Sequence, residues 1–502
     1  MTDTERGIED TAGAVPATPR GRDRRTVLAV AAAAGIGVAA RGIAAAASGP
    51  AAVQTSGTPA ASAVRDWDAP LGQEGAKIAH LLRRAAFGAT AVELEGARSL
   101  GYARTVDRLL ETTAAEPAAL AGADDASMER PLEIGKLQQW WIDHMLATPT
   151  PFAERMTFFW HGHFTTEARK VNGQGPYLYW QNLTWRRHAL SDLRTFLYQV
   201  TIDPAMLRYL DLSSSTAREP NENYARELME LFTMGPGNYT EADVKAAARA
   251  LTGWRVPHTQ QMIDGAVRKA MERGQTPRVV PKPDAVRTGI FEKRRAYRGP
   301  AYAFLGETKV WNTEAVIDKI LAQDATAPFV VRALLTHFVT PAPADAYVAR
   351  LAARFRKNAY DLRSLMRDIF TSPEFTSPAT YRALVEQPVE LMVHAVKALG
   401  DPALVRAVTR SAAGMGQVLF NPPDVGGWPE NAHWISSNTM LARANFATGL
   451  VASLRRLPSA ADAASLHLDG VISAQTRTLL ETVKDDRGRW SIVLASPEFQ
   501  LK

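Results

Sequence analysis

An all-α fold is the expectation for this chain, and three features carry it. Apolar residues recur at i, i+3 and i+4 along most of its length, and alternating strand patterns are scarce. Several of the periodic runs also open on capping residues, such as Asp203 before Pro204 and Thr240 with Asp243.

The N-terminus reads as an export signal. Arg22, Arg24 and Arg25 precede an apolar run from Val27 to Ala40, and Ala45-Ala46-Ala47 supplies a cleavage site. The Arg24-Arg25 pair points to the twin-arginine route, so residues 1–47 are read as a signal peptide and the protein is expected in the periplasm, cell envelope or medium. The run is too short to span a bilayer, which takes roughly 20 residues, and no transmembrane segment is expected in the mature chain. Residues 48–66, rich in Ala, Ser, Thr, Pro and Gly, read as a disordered linker.

The folded body begins near Trp67. Helical periodicity covers Ala76 to Phe87, Ala91 to Leu100, Tyr102 to Leu110, Pro131 to Ala147, Phe152 to Trp160 and Tyr177 to Leu190. It continues through Thr195 to Gln199, Glu222 to Met234, Glu241 to Leu251, Thr313 to Leu321 and Ala327 to Val339. The last runs are Ala344 to Asn358, Leu362 to Thr371, Pro388 to Leu399 and Ser437 to Leu454. We expect one large helical domain over residues 67–455, with residues 456–502 as its C-terminal helical extension. Residues 255–310 break the periodicity and read as an irregular insertion with a short hairpin around Ile290 to Phe304. Ser372-Pro373-Glu374-Phe375 and Ser496-Pro497-Glu498-Phe499 read as the same helix stop used twice.

Composition bounds the chemistry. The 502 residues include 46% hydrophobic ones, enough for a well-buried core, and no cysteine, which removes disulfides and thiolate metal sites. Formal net charge is +6. Most of the excess lies between Arg255 and Arg298, where eleven basic residues meet four acidic ones. That stretch reads as a solvated surface, or as a contact for an anionic envelope polymer, while nucleic acid is a poor partner for so modest an excess.

The stretch from Pro220 to Gly235 carries the densest polar pattern. On one helix, Asn223, Glu227 and Glu230 share a stripe with Arg226 beside it, opposite the apolar Tyr224, Leu228, Leu231 and Phe232. Lysine is missing from this face, so it fits a hydrogen-bonded cluster or a cation site as well as a solvated surface. His161 and His163 flank Gly162; in an extended or turn segment two such rings point the same way, whereas on a helix they diverge. Asp211 ends a short helix where the dipole disfavours an acid.

These residues combine into an expected site. His161, His163, Asp211 and Glu227 would hold a divalent metal (zinc, manganese, iron or calcium), with Glu230 as general base and Asn223 and Arg226 on substrate. Without metal, Glu227 and Glu230 would form a carboxylate pair. Arg249 is expected to reach a carboxylate of the Glu222 to Met234 helix, and the Phe420 to Trp434 loop would present Trp428 and Trp434 either as a cleft wall or as aromatic plugs. No Gly-x-Ser-x-Gly elbow, Walker loop or Gly-x-Gly-x-x-Gly is present. A haem peroxidase remains a further reading, although no Cys-x-x-Cys-His site exists.

Leu81-Leu82-Arg83-Arg84-Ala85-Ala86-Phe87-Gly88, Trp160-His161-Gly162-His163-Phe164 and Asp203-Pro204-Ala205-Met206-Leu207 together resemble the bacterial domain of unknown function numbered 1800. So do the Asn221 to Gly235 stretch, Leu251-Thr252-Gly253-Trp254 and the Pro422 to Trp434 loop. The resemblance implies an exported bacterial protein, with an exported sulfatase-like companion as a possible partner, and carries no settled activity. The sequence departs from it at Tyr297 to Gly306, where relatives have a His-Asp pair before Lys-x-x-Leu-Gly. The resulting expectation is a metal-assisted hydrolase of envelope or extracellular polymer, against a non-catalytic helical scaffold for a companion enzyme.

Overall fold

The computed structural model describes residues 68–502, apart from 112, 121–132, 172–175, 277–279, 281, 283, 285 and 402–403. The signal and linker readings of residues 1–66 lie outside this range. Helix accounts for 59% of residues and strand for 3%, so the fold is all-α. In order, the first helices are α1 (Glu74–Ala85), α2 (Ala91–Leu100), α3 (Tyr102–Glu111), α4 (Ile134–Ala147), α5 (Pro151–His163), α6 (Ala168–Val171), α7 (Tyr177–His188) and α8 (Leu193–Thr201). Then come α9 (Pro204–Tyr209), α10 (Asn223–Glu230), α11 (Glu241–Ala250), α12 (Gln260–Glu272), α13 (Thr313–Leu321), α14 (Thr326–Phe338), α15 (Asp345–Lys357) and α16 (Leu362–Phe370). The last are α17 (Pro388–Leu399), α18 (Val405–Gly414), α19 (Ser437–Ser453), α20 (Ala463–His467), α21 (Ala474–Thr482), α22 (Asp486–Ala495) and α23 (Pro497–Gln500). None of the described helices is long and apolar enough to cross a membrane.

Capping explains many of the helix starts. Thr90 with Glu93 and Thr240 with Asp243 form reciprocal capping boxes, and the Asp203 carboxylate accepts the Met206 amide at 2.8 Å with Pro204 in the first turn. The two Ser-Pro-Glu-Phe stops are built alike. Ser372 and Ser496 each donate to the carbonyl three residues back and accept the amide of the Phe three residues on.

One apolar cluster runs from Leu81 to Phe499, and α5 passes through it with Phe152 to His161 all buried. Helices α1, α3 and α7 pack on α5. Buried arginines satisfy the carbonyls where helices and loops end: Arg84 donates to Phe338 and Val339, and Arg443 to Glu386. The final residues pair with the approach to α17 through reciprocal backbone bonds between Leu384 and Lys502, of 3.2 and 2.9 Å.

The insertion differs in two ways from its expected form. It contains α12, a largely exposed helix whose apolar positions are interleaved with charge. The hairpin also falls later than Ile290 to Phe304: β3 (Tyr302–Phe304) pairs with β4 (Glu307–Lys309) around Leu305-Gly306, while β1 (Trp254–Arg255) and β2 (Ile290–Phe291) pair and close the base of the excursion. Arg255 is held there by Asp284 at 2.9 Å and Glu292 at 2.7 Å, so part of the basic excess is neutralised locally.

Candidate functional site

Helix α5 continues through both histidines and stops at Phe164, so His161 and His163 diverge instead of converging as an extended segment would make them. His161 packs against Trp141, Phe420 and Trp428; His163 packs against Phe159, Phe164, Phe232 and Phe329. Each ring gives its Nε2 to the backbone, in opposite senses. The Phe420 amide donates to His161 Nε2 at 3.0 Å, while His163 Nε2 donates to the Phe232 carbonyl at 3.0 Å.

Those partners settle the tautomers. Burial holds His161 down to about 3 and His163 to about 4, so both rings are neutral near pH 7. His161 must then carry its proton on Nδ1, and His163 must leave Nδ1 as a lone pair. Two residues apart, one ring offers a donor and the other an acceptor.

Both rings line an open cleft of about 310 Å³ between α5, α14 and the loop from Phe420 to Trp434. The loop is pressed onto α5 by its backbone. Gly427 has φ +89°, and a Cβ there would lie 2.3 Å from the Gly162 carbonyl oxygen. Phe420 is left-handed at φ +64°, tied by its amide to His161 and by its carbonyl to the Ala168 amide at 2.7 Å. Trp428 faces the cleft, whereas Trp434 is buried, so the loop is a wall at one tryptophan and a plug at the other.

The same loop and α14 together carry a charge network. His337 on α14 donates Nδ1–H to Glu430 Oε1 at 2.8 Å, and its Nε2 accepts from Arg155 Nη2 at 3.2 Å. Arg155 pairs in turn with Glu390, whose two oxygens also receive Lys502 Nζ at 2.6 Å each. Desolvation would raise the Glu390 carboxyl, but Arg155 and Lys502 outweigh it and hold it far below the usual range. Burial lowers Lys502 to about 8 and lowers His337, which is neutral beside two cationic groups. The relay Glu390, Arg155, His337, Glu430 thus runs from the core to a carboxylate that is 35% exposed in the cleft, while His337 is 2% exposed.

The polar stripe of α10 lies elsewhere; none of its residues lines this cleft. Arg226 is clamped by both oxygens of Glu241, at 2.6 and 2.8 Å, and Tyr239 donates to Glu230. Asn223 Nδ2 reaches Asp211 at 3.4 Å, and Asp211 pairs with Lys170 at 2.7 Å. Glu227 is partly exposed, its pKa raised by desolvation and then by Glu230. The helix is also shorter than Glu222 to Met234, since the chain turns after Glu230. Arg249 does not reach α10; it lies over the Tyr302 ring at 5.7 Å.

The expected ligand set of His161, His163, Asp211 and Glu227 is not assembled. No group of three or more His, Asp or Glu able to hold a metal ion exists among the described residues. The physical reason is the helix: it spends both Nε2 atoms on backbone partners and turns the rings apart. Sequence reasoning missed Arg155, His337, Glu390 and Lys502 because they stand singly in four distant segments, with no spacing to connect them. Glu430 was within reach, since it sits in the loop whose rigidity and tryptophans pointed to a cleft wall.

A sequence profile described as Protein of unknown function (DUF1800) matches residues 80–501. The chain belongs to the DUF1800 family. The match spans α5, α14 and the cleft loop, so the whole relay lies within the family region. No curated protein and no solved structure matches the chain.

Proposed function

We propose that this DUF1800 member is an exported hydrolase of envelope or extracellular polymer whose reaction centre is the cleft of His161, His163 and Glu430. One observation carries the reading: a hydrogen-bonded relay links a buried, paired ion cluster to a partly exposed carboxylate on the wall of an open cleft. A surface ion pair needs no such support, and a purely structural cluster has no reason to end at solvent.

The residues support a definite division of labour. Glu430 is the sole carboxylate among the described lining residues, and the His337 Nδ1–H fixes one of its oxygens. Its other oxygen takes a proton from water as the water oxygen attacks an acyl carbon. His161 Nδ1–H donates to the oxyanion that forms. Collapse expels the alcohol, which recovers the proton from Glu430. Paired carboxylates, which glycosidic cleavage commonly uses, are not present on this wall, so an acyl linkage of the polymer fits better.

The test is turnover of acylated polysaccharides and chromogenic acyl esters by purified protein and by Glu430→Gln. We expect acid release by the parent and a loss on the order of 100-fold in the variant at unchanged thermal stability. Equal rates in the two proteins, or acid release by neither, would refute the assignment and favour the scaffold reading.

A further inference from the structure

We propose that the cleft recognises a neutral, hydroxyl-rich saccharide segment rather than an anionic polymer. This inference rests on the same cleft as the hydrolase reading and specifies what lies beside the scissile bond.

The cleft leaves several polar atoms uncommitted. His161 Nδ1–H is a neutral donor and His163 Nδ1 a neutral acceptor, because Phe420 and Phe232 take the other nitrogen of each ring. Gln417 accepts the Val389 amide at 2.9 Å and donates to Gln387 Oε1 at 2.7 Å, which leaves the Gln387 amide nitrogen as another donor. The Thr336 hydroxyl serves in either sense. A hydroxyl group both gives and receives a hydrogen bond, so a row of hydroxyls satisfies this alternation without carrying charge.

Charge disfavours an anionic ligand. Arg332 is the sole Lys or Arg among the described lining residues, and it is already occupied: Nη2 donates to Asp345 at 2.7 Å and Nη1 to the Pro343 carbonyl at 3.3 Å. Sulfate, phosphate or uronate groups would therefore enter a cleft whose cation is spoken for and whose carboxylate repels them. Aromatic faces favour a sugar ring. Trp428 and Phe329 line the cleft and offer the flat apolar surface on which the C–H face of a sugar ring packs.

Gly162 supplies a clean probe. It lies in helix α5 and lines the cleft, yet a Cβ there would meet nothing within 4 Å. Gly162→Ala therefore introduces no clash, and Gly162, in the last turn of α5, has no positive φ that an alanine would strain. The methyl occupies cleft space and nothing else.

The experiment is calorimetric titration of the full-length Glu430→Gln protein with cellohexaose, xylohexaose and chitin hexasaccharide, and in parallel with a galacturonate hexasaccharide and a sulfated heparin hexasaccharide. We expect at least one neutral probe to bind, with affinity unchanged as salt rises from roughly 50 to 500 mM, and Gly162→Ala to weaken it about tenfold or more at equal or higher melting temperature. Binding of the anionic probes alone, binding of no neutral probe to folded protein, or binding indifferent to Gly162→Ala would overturn the proposal. Saccharide binding without ester turnover in the parent would sink the hydrolase reading and leave this one standing. Turnover of simple esters without saccharide binding would do the reverse.

Discussion

Asp203 shows how one residue can serve two ends at once. Its carboxylate caps α9 and accepts Gln181 Nε2 at 2.7 Å, but it does so in the core, where burial raises its pKa to about 7. The folded pKa lies above the unfolded value, so the native state holds the extra proton between the two. Stability therefore falls as pH rises from about 4 toward 7, and the deficit persists above that window. Asparagine keeps the accepting oxygen without the charge. Asp203→Asn is expected to be more stable than the parent at pH 8 and to lose that advantage near pH 4, which denaturant melts at the two pH values will measure. The cap was legible in the sequence because Asp-Pro is local chemistry. Its perturbed ionisation was not, because that depends on the residues folded around it.

His161 and His163 teach the same lesson in reverse. Their spacing was visible, but what the spacing meant hinged on whether the backbone there was extended or helical. The helix runs a turn past Trp160, and a pair that would chelate in one geometry becomes in the other two rings with opposite hydrogen-bonding roles along one cleft.

At the scale of elements, the cleft exists because a loop and a helix meet backbone to backbone. Gly427 touches the Gly162 carbonyl and has a positive φ, so Gly427→Ala meets both a steric and a conformational penalty. We expect it to cost about 2 kcal/mol or more of stability and to abolish turnover, as read by thermal melts and ester assays. A variant that melts like the parent and keeps its activity would show that the loop does not depend on this contact. Helix positions were largely readable: α2, α13 and α17 fall on the residues the periodicity marks, because α2 and α13 open on side-chain caps and α17 on a proline that heads a long apolar run. The insertion was harder. In α12 the apolar positions sit among basic and acidic neighbours on a largely exposed helix, and the hairpin turns on Leu305-Gly306, a weak signal beside the glycine and prolines nearby.

Across the whole molecule, paired charges are set into the apolar core. Glu154 is buried with Arg186 at 2.7 Å, Arg83 with Asp469 at 2.6 Å, and Glu390 with Lys502 and Arg155. Such pairs contribute little net stability against an apolar alternative, but removing one partner strands the other at a cost of about 3 to 5 kcal/mol. One of these clusters extends to the surface, at Glu430, and that is where the account places the chemistry. The sequence pointed instead to α10, whose carboxylates are concentrated in one short stretch and so are easy to see. The relay is assembled from segments far apart in the chain, with Arg155 and His337 separated by 182 residues and His337 and Glu430 by 93, so it becomes visible only once the chain is folded.

The most direct measurement is the position of a bound substrate: a crystal structure of Glu430→Gln soaked with an acylated oligosaccharide. The account predicts density beside Trp428 and Phe329, with the acyl group at residue 430 and a hydroxyl on His163 Nδ1. Density on the Asn223 to Glu230 face of α10, with the cleft empty, would contradict it.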